Sequence, residues 1–528
     1  MSFRQRCLAA GYLPQELPPP FTSIPFADFS AASPTYVTDL WKPYVSKLVR
    51  HQLAQAGKNR RILSIPNPIN QLRLVQCLEE NFGIAFRLAG SSAISASKPL
   101  FQYDGFRAIY PRRDFTTIPR KRAEARAVAR YMLKTDISRF YGSIYTHSVP
   151  WALHTKDVAK RDRTNNLAGN VLDKILREAQ DGQTVGIPVG PDTSLVVAEM
   201  ILAAVDAQAM GGAQGFRWYD DYELSALTKG ECERHLVDLE GALFDFELEV
   251  NVGKTEILSL PLSIEDEWVE VLRDFEIRPS PRAQFKDLNA FFSRAFEYGV
   301  RAPKKTVLRY AVRKMHGSGI HERNWLHLQR LMAQAATHEP EVLPHVLGVL
   351  NFYQLKGYPL DLRLLERLLC TVIEQFAERA LGSEVAWSIW GFIQFGRPVP
   401  AQCVEFALNL RDDVVLLLLL DARSKGLIAD GTGLDALASN IKGDSFEGDH
   451  WLFAYESIRK GWLTPPAGQL RAFRANPHVD ALLASGVYFY EDELKADQTA
   501  RHLYGTPTWL WYQLPREPGI DIAEDRPQ

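Results

Sequence analysis

The sequence predicts an α/β amino-terminal half followed by a large all-α, helical-repeat-like carboxy-terminal half. Three observations carry this expectation. At 528 residues the chain exceeds the size at which a single hydrophobic core stops growing, so two or more domains are expected. With 46% apolar and 11% aromatic residues it has enough core material to repay the entropy of ordering. Up to about residue 265 short apolar runs alternate with helically spaced segments, and beyond that point one amphipathic helical segment follows another.

Taken in order, residues 1–35 form an irregular lead-in, rich in Pro, Ser and Thr from residue 13. The spacing of Leu40, Tyr44, Leu48 and Leu53 predicts a helix over 38–56. RRILSIPNP is a short extended run ended by Pro66 and Pro68, and 69–84 is again helical. The apolar run 131–135 predicts a buried strand that leaves Asp136 at its C-terminal edge. A helix over 170–180, a Gly/Pro turn and a long helix over 194–210 follow. Residues 216–224 read as a strand-turn-strand unit around Asp220 and Asp221, then a helix over 231–244 and a strand-like ELEV at 247–250.

From 266 onward, helices are expected over 266–275, 285–298, 305–315, 325–336, 341–353, 361–379, 384–396, 401–410 and 412–425, separated by short breaks. Successive helices with one apolar face suggest an α-solenoid or irregular bundle, without a period clean enough for a named repeat. The tail cluster Tyr488, Phe489, Tyr490, Tyr504, Trp509, Trp511 and Tyr512 reads as packing for the last helices.

Bulk charge is balanced, 61 Lys+Arg against 63 Asp+Glu, so it says nothing for nucleic acid. Between Arg107 and Lys134, however, nine basic residues face only Asp114 and Glu124, a pattern open to a solvated helix face or a nucleic-acid-binding surface. Five scattered cysteines without C-x-x-C spacing suggest a reducing compartment rather than a disulfide framework or zinc site. No signal peptide is legible, and the most apolar run, 414–420, is far short of the roughly 20 residues a bilayer demands. A soluble, cytoplasmic protein with no membrane partner is expected.

Adding a nucleotide to a hydroxyl requires an activated oxygen and a neutralised pyrophosphate. Two divalent metals, Mg²⁺ or Mn²⁺, about 3.5–4 Å apart supply both and demand converging carboxylates. Asp136, Asp220 and Asp221 are the candidates, with Asp136 and Asp220 bridging both metals and Asp221 at the edge. An Asp-Asp pair is common on surface turns, and Asp136 alone reads as a helix N-cap. The flanking Trp218, Tyr219 and Tyr222 set this pair apart, because adjacent carboxylates among apolar rings call for a cation.

These segments resemble a known family. KTDISRFYGSI is similar to the first palm motif of reverse transcriptases, GIPVGPDTS to their G-x-P-x-G turn, and WYDD to their Y-x-D-D motif with Trp218 in first place. LEVNVGKTEI is similar to the next palm element, and GKNRRILSIPNPINQLRLVQ to the fingers segment that holds the incoming triphosphate. The resemblance covers about residues 45–260 and implies a right-hand polymerase palm and fingers over 36–265, followed by the helical domain over 266–528. Tyr141 would then lie beneath the sugar and select dNTPs, with Phe140 beside it taking the packing role, because neighbours on an extended segment face opposite ways. Lys58, Arg60, Arg61 and Arg73 would be triphosphate candidates, against a reading as surface charge. Gly186, Pro188 and Gly190 would let backbone approach the base pair or primer end, though a plain loop needs glycines as much. Lys254 would sit near the β/γ phosphates or protonate the leaving group, against a role closing a hairpin.

Val189 departs from the Gln common after the turn proline in templated enzymes, and no RNase H or HNH module is recognisable. The long helical region resembles the bacterial abortive-infection reverse transcriptases, which guard cells against phage. That resemblance implies a homo-oligomer making single-stranded DNA without a template, attached covalently to a tyrosine of the protein. Tyr36, Tyr44, Tyr488, Tyr490 and Tyr512 are candidates for that hydroxyl. Two alternatives stand beside it: an RNA-templated reverse transcriptase of a retroelement, and a non-catalytic helical-repeat scaffold that binds a phage or host protein.

Overall fold

The computed structural model describes residues 1–36, 40, 42–55, 60–112 and 117–493. Helices Phe3–Ala10 and Ile24–Ala32 occupy the segment expected to be irregular. Proline content misleads here, because Pro25 lies in the first helical turn, where no hydrogen bond is lost. Leu8, Tyr12 and Phe26 are fully buried, so the chain's start is core rather than lead-in.

A second correction concerns 38–56. Strand β1 (Val49–Ala54) pairs antiparallel with β2 (Arg60–Ile65), Val49 opposite Ile65 and Ala54 opposite Arg60, and the described residues 42–48 are not helical. Pairing with the RRILSI run satisfies the backbone and overrides a leucine spacing that also fits a helix. Helices Pro68–Glu80 and Phe82–Ala89 follow, then the small hairpin β3 (Pro99–Phe101) and β4 (Ile109–Pro111), and helix Ile118–Arg126.

The central sheet is antiparallel, built from β5 (Tyr131–Asp136), β6 (Gln214–Trp218), β7 (Asp221–Ala226) and β8 (Glu256–Ser259) in the order β6-β7-β5-β8. Helix Lys229–Asp245 packs on β5, on β7 and on the long apolar helix Thr193–Ala209, its start fixed by a Thr228/Glu231 capping box. ELEV at 247–250 makes only one bridge, Ile137 with Val250; the strand that pairs with β5 lies six residues later, at β8.

After β8 every regular element is helical among the described residues. Helices Glu267–Arg273, Pro281–Arg301, Val307–Lys314, Glu322–His338, Leu343–Leu355, Leu362–Ala377, Gly382–Gln394, Ala401–Leu408 and Asp413–Ser424 match the nine expected segments. Each packs on the next or the next but one, the contact pattern of stacked helix pairs. Three more, Trp451–Arg459, Ala467–Arg474 and Pro477–Ala484, were not legible in the sequence. The run 414–420 is buried core, and no helix of the described residues is long and apolar enough to cross a membrane.

The end of the described helical region returns to the start of the chain. Thr22 N donates to Phe489 O at 3.1 Å, Phe21 bridges Tyr490, and Trp451 Nε1 donates to Ile65 O at 3.2 Å. One continuous apolar cluster therefore runs through both halves.

Candidate active site

Three acidic side chains meet where β5 ends and the β6–β7 hairpin turns. Asp136 closes β5 opposite Asp221, the first residue of β7. Directly opposed residues on antiparallel strands share a face, with Cβ atoms about 5 Å apart. Asp220 lies in the two-residue turn between the paired Trp218 and Asp221. Such turns need a positive φ at their first central residue, and Tyr219 supplies it at 53°, a strained value for a side chain with a Cβ.

Hydrogen bonds on both sides hold that residue. Tyr219 N donates to Ser97 Oγ at 2.8 Å, and Arg217 Nη1 donates to Tyr219 O at 2.7 Å. The Arg217 side chain is fully buried and bonded to Glu199 at 2.9 and 3.0 Å and to Asp206 at 3.0 and 2.8 Å. Burial opposes its charge, but Asp206 and Glu199 outweigh that and hold the guanidinium protonated. Ser95 and Ser97 donate to Glu199 at 2.9 and 2.8 Å, while Ser92 and Tyr222 donate to Asp206 at 2.6 and 2.8 Å. Glu199 and Asp206 are seven residues apart on the helix Thr193–Ala209, hence on one face. Two acids on one face of an apolar helix were a signal of this network; the sequence reading passed over it.

The carboxylates feel one another. Burial first, and Asp221 next, push Asp220 up to about 6; burial and then Asp136 raise Asp221. Lys254, at the end of a short helical turn, donates to Asp136 Oδ2, and that bond raises the ammonium's own pKa. The turn is stitched beneath the site by Asn251 N to Asp136 O at 2.7 Å and by the Thr135 and Thr255 hydroxyls at 2.7 Å. Asp136 Oδ1 is buried with no hydrogen-bond partner. Among the described residues no three acidic, His or Cys side chains form a preformed metal cage, and Lys254 takes one Asp136 oxygen. The donor set still fits a hard divalent cation: all oxygen, mutually repelling, with one buried oxygen orphaned.

The remaining sequence candidates divide. Tyr141 faces the site, its hydroxyl pushed up by burial and by the charges of Tyr219, Glu199 and Asp220, with Arg61 opposing. Phe140 is core, but the two residues sit on a helical turn, Phe140–Ser143, rather than on an extended segment, and their rings meet edge to face at 5.4 Å. Arg61 is exposed, and its charge acts on Asp220, Tyr141 and Tyr219, so it belongs to the site. Arg60 instead pairs with Glu384 of the helical region at 3.0 Å. Arg73 is a correction: it is buried, bonded to Glu178 at 2.6 Å and to the carbonyls of Leu40 and Lys42, and is structural. Lys58 lies outside the described residues.

Gly186 has φ 89° and lies against the Gly142 carbonyl, where a Cβ would sit at 3.3 Å, and Ile187 N bonds Tyr141 O at 2.9 Å, so this turn braces the Tyr141 segment. Pro188 is buried and its carbonyl accepts from Ser194 Oγ at 2.6 Å. At Gly190, φ 132°, a Cβ would meet Pro14 at 2.6 Å, so this glycine serves packing of the amino-terminal segment.

The tyrosine candidates are engaged elsewhere. Tyr36 bonds His478 at 2.8 Å, and burial raises it to about 12; Tyr44 bonds Glu447 at 3.3 Å and is also raised by burial. Tyr490 is fully buried and donates to Asp421 at 2.8 Å, and Tyr488 lies against Arg459 at 5.1 Å. Tyr512 lies outside the described residues.

No family model and no curated protein matches the chain. Solved structures similar to it include telomerase from Candida albicans in complex with a TWJ fragment of telomeric RNA, at 8% identity and TM-score 0.28 over 68% of this chain and 67% of that one. Apo telomerase from Candida tropicalis is similar at 10% identity and TM-score 0.29 over 77% and 73% of the two chains. Overlaps this loose carry no weight for function, which rests on the site itself.

Proposed function

We propose that the chain is a DNA polymerase of reverse-transcriptase type that adds dNTPs by phosphoryl transfer at Asp136, Asp220 and Asp221. The observation that supports it is the meeting of Asp136 with the Asp220–Asp221 turn on adjacent strands, with a buried Asp136 oxygen lacking a partner. Asp136 and Asp220 would be the shared ligands of two divalent cations and Asp221 the ligand at the edge. Such cations, when bound, activate the attacking hydroxyl and neutralise charge on the leaving pyrophosphate. Lys254, charged and already beside Asp136, would move to the released phosphates and donate a proton there. Arg61 would hold the triphosphate through its planar fork, and the Tyr141 ring would exclude a 2′-hydroxyl.

The resemblance to abortive-infection enzymes extends the proposal to untemplated, protein-primed synthesis by a homo-oligomer in antiphage defence. Purified protein is to be incubated with labelled dNTPs and Mg²⁺, with and without RNA, and then denatured. Label that stays on the polypeptide without RNA is the expected result. Product whose base composition follows added RNA would assign a templated enzyme instead, and label fully extracted from the polypeptide would remove priming on protein.

A further inference from the structure

The five cysteines are not equivalent. Cys7, Cys77 and Cys232, all in the amino-terminal half, are buried, and burial pushes each of their thiols up. Cys370 and Cys403 meet across two packed helices. Cys370 stands partly exposed in the helix Leu362–Ala377, Cys403 is buried in the helix Ala401–Leu408, and the Cys403 thiol donates a hydrogen bond to the Cys370 sulfur. That bond holds the Cys370 thiol below its ordinary range, although burial and the charges of Glu374 and Glu366 oppose it, and the same bond raises Cys403. One sulfur is thus the more ionised and reaches solvent, while the other is protonated, buried and in contact with it. Attack on an oxidant needs an accessible thiolate, and disulfide closure needs a second thiol touching the first.

We propose that Cys370 and Cys403 form a reversible oxidation site for hydroperoxides. The Cys370 thiolate attacks one peroxide oxygen, an S–O bond forms as the O–O bond breaks, and the departing hydroxide is protonated by solvent, which had accepted the Cys370 proton. Cys403 then attacks the sulfenic sulfur. The S–S bond forms, the S–O bond breaks, and the Cys403 proton leaves with hydroxide as water, so the two thiols lose two electrons and the peroxide gains them. A transient bond of this kind suits a chain without a disulfide framework. It would close a loop containing the helix Gly382–Gln394, which packs on β1 and supplies Glu384 to Arg60. Oxidation would therefore brace the support of the β1–β2 hairpin.

The site is independent of the polymerase reading. Full-length wild-type protein is to be treated with hydrogen peroxide, denatured in alkylating reagent and digested without reductant for mass spectrometry. The expected product is a peptide pair joined through Cys370 and Cys403, lighter by the lost hydrogens and absent after dithiothreitol. In Cys403→Ser, whose hydroxyl can still donate but cannot close the bond, dimedone should trap Cys370 as the sulfenic acid about tenfold or more faster than it labels Cys232. Amides of 382–394 should exchange more slowly in the oxidised protein than in the reduced one. No joined peptide in wild type, whether Cys370 stays reduced or goes on to the sulfinic acid, would overturn the site. Equal labelling of Cys370 and Cys232 in C403S would overturn it too, and unchanged amide exchange would overturn the bracing.

Discussion

Tyr219 shows how single residues shape the site, since its strained backbone is tolerated only because Ser97 and Arg217 hold both sides of it. Ser97→Ala removes one of those bonds, worth about 1 kcal/mol. It should cost synthesis about tenfold or more in kcat while the melting temperature falls little, because a small displacement of Asp220 penalises the reaction far more than the fold. Arg217→Met leaves Glu199 and Asp206 buried without their cation and should destabilise by about 3–5 kcal/mol in a urea titration. Tyr141→Ala should lower discrimination against NTPs on the order of 10- to 100-fold in paired kcat/KM measurements, and unchanged selectivity would return the ring to packing. At this scale the nearness of Asp136 to Asp220 and Asp221, and of Lys254 and Tyr141 to them, was legible because each stands in a short segment with unusual neighbours. Arg73 and Gly190 were not, since what commits them are Glu178 and Pro14, both more than 100 residues away in sequence.

Helices and strands differed in how plainly they announced themselves. The nine helices from 267 to 424 follow from an apolar face repeated over several turns. Residues 49–54 instead form a strand because their partner, RRILSI, decides between two conformations that the leucine spacing leaves open. ELEV looks like a strand, yet the edge of β5 is taken by β8. One helix pair carries a pH prediction. His316 follows the helix Val307–Lys314 and packs tilted against Phe352 at 4.2 Å; burial, with Lys356 and Arg313 adding, pushes its imidazole down to about 4. Its folded pKa is thus depressed below the unfolded value of 6.5, so the stability it contributes is complete above 6.5 and is lost as pH falls through about 4. Partial exposure limits the effect to about 1–2 kcal/mol, and His316→Gln should flatten that acid limb in denaturation curves taken across this range.

Across the whole molecule the two halves share one apolar cluster, and the last described strand-like residues seal the first helices. A fragment ending at residue 265 would expose the partners of Trp451, Phe489 and Tyr490. It should be insoluble or rapidly proteolysed, whereas a soluble, cooperative fragment would show the halves to be independent. The sequence could place the boundary where strands stop, but not this closure, which depends on contacts 386 to 469 residues apart. The helical region also supplies Glu384 to Arg60 and Asp412 to His51, so the β1–β2 hairpin is set by it. What the fold holds in position is the meeting of Asp136 with the Asp220–Asp221 turn. The most direct test is incorporation of labelled dNTP in Mg²⁺ by wild-type and Asp220→Asn protein of equal melting temperature. The expected result is synthesis by wild type and none above background by the variant; equal incorporation by both would contradict the assignment of the carboxylates.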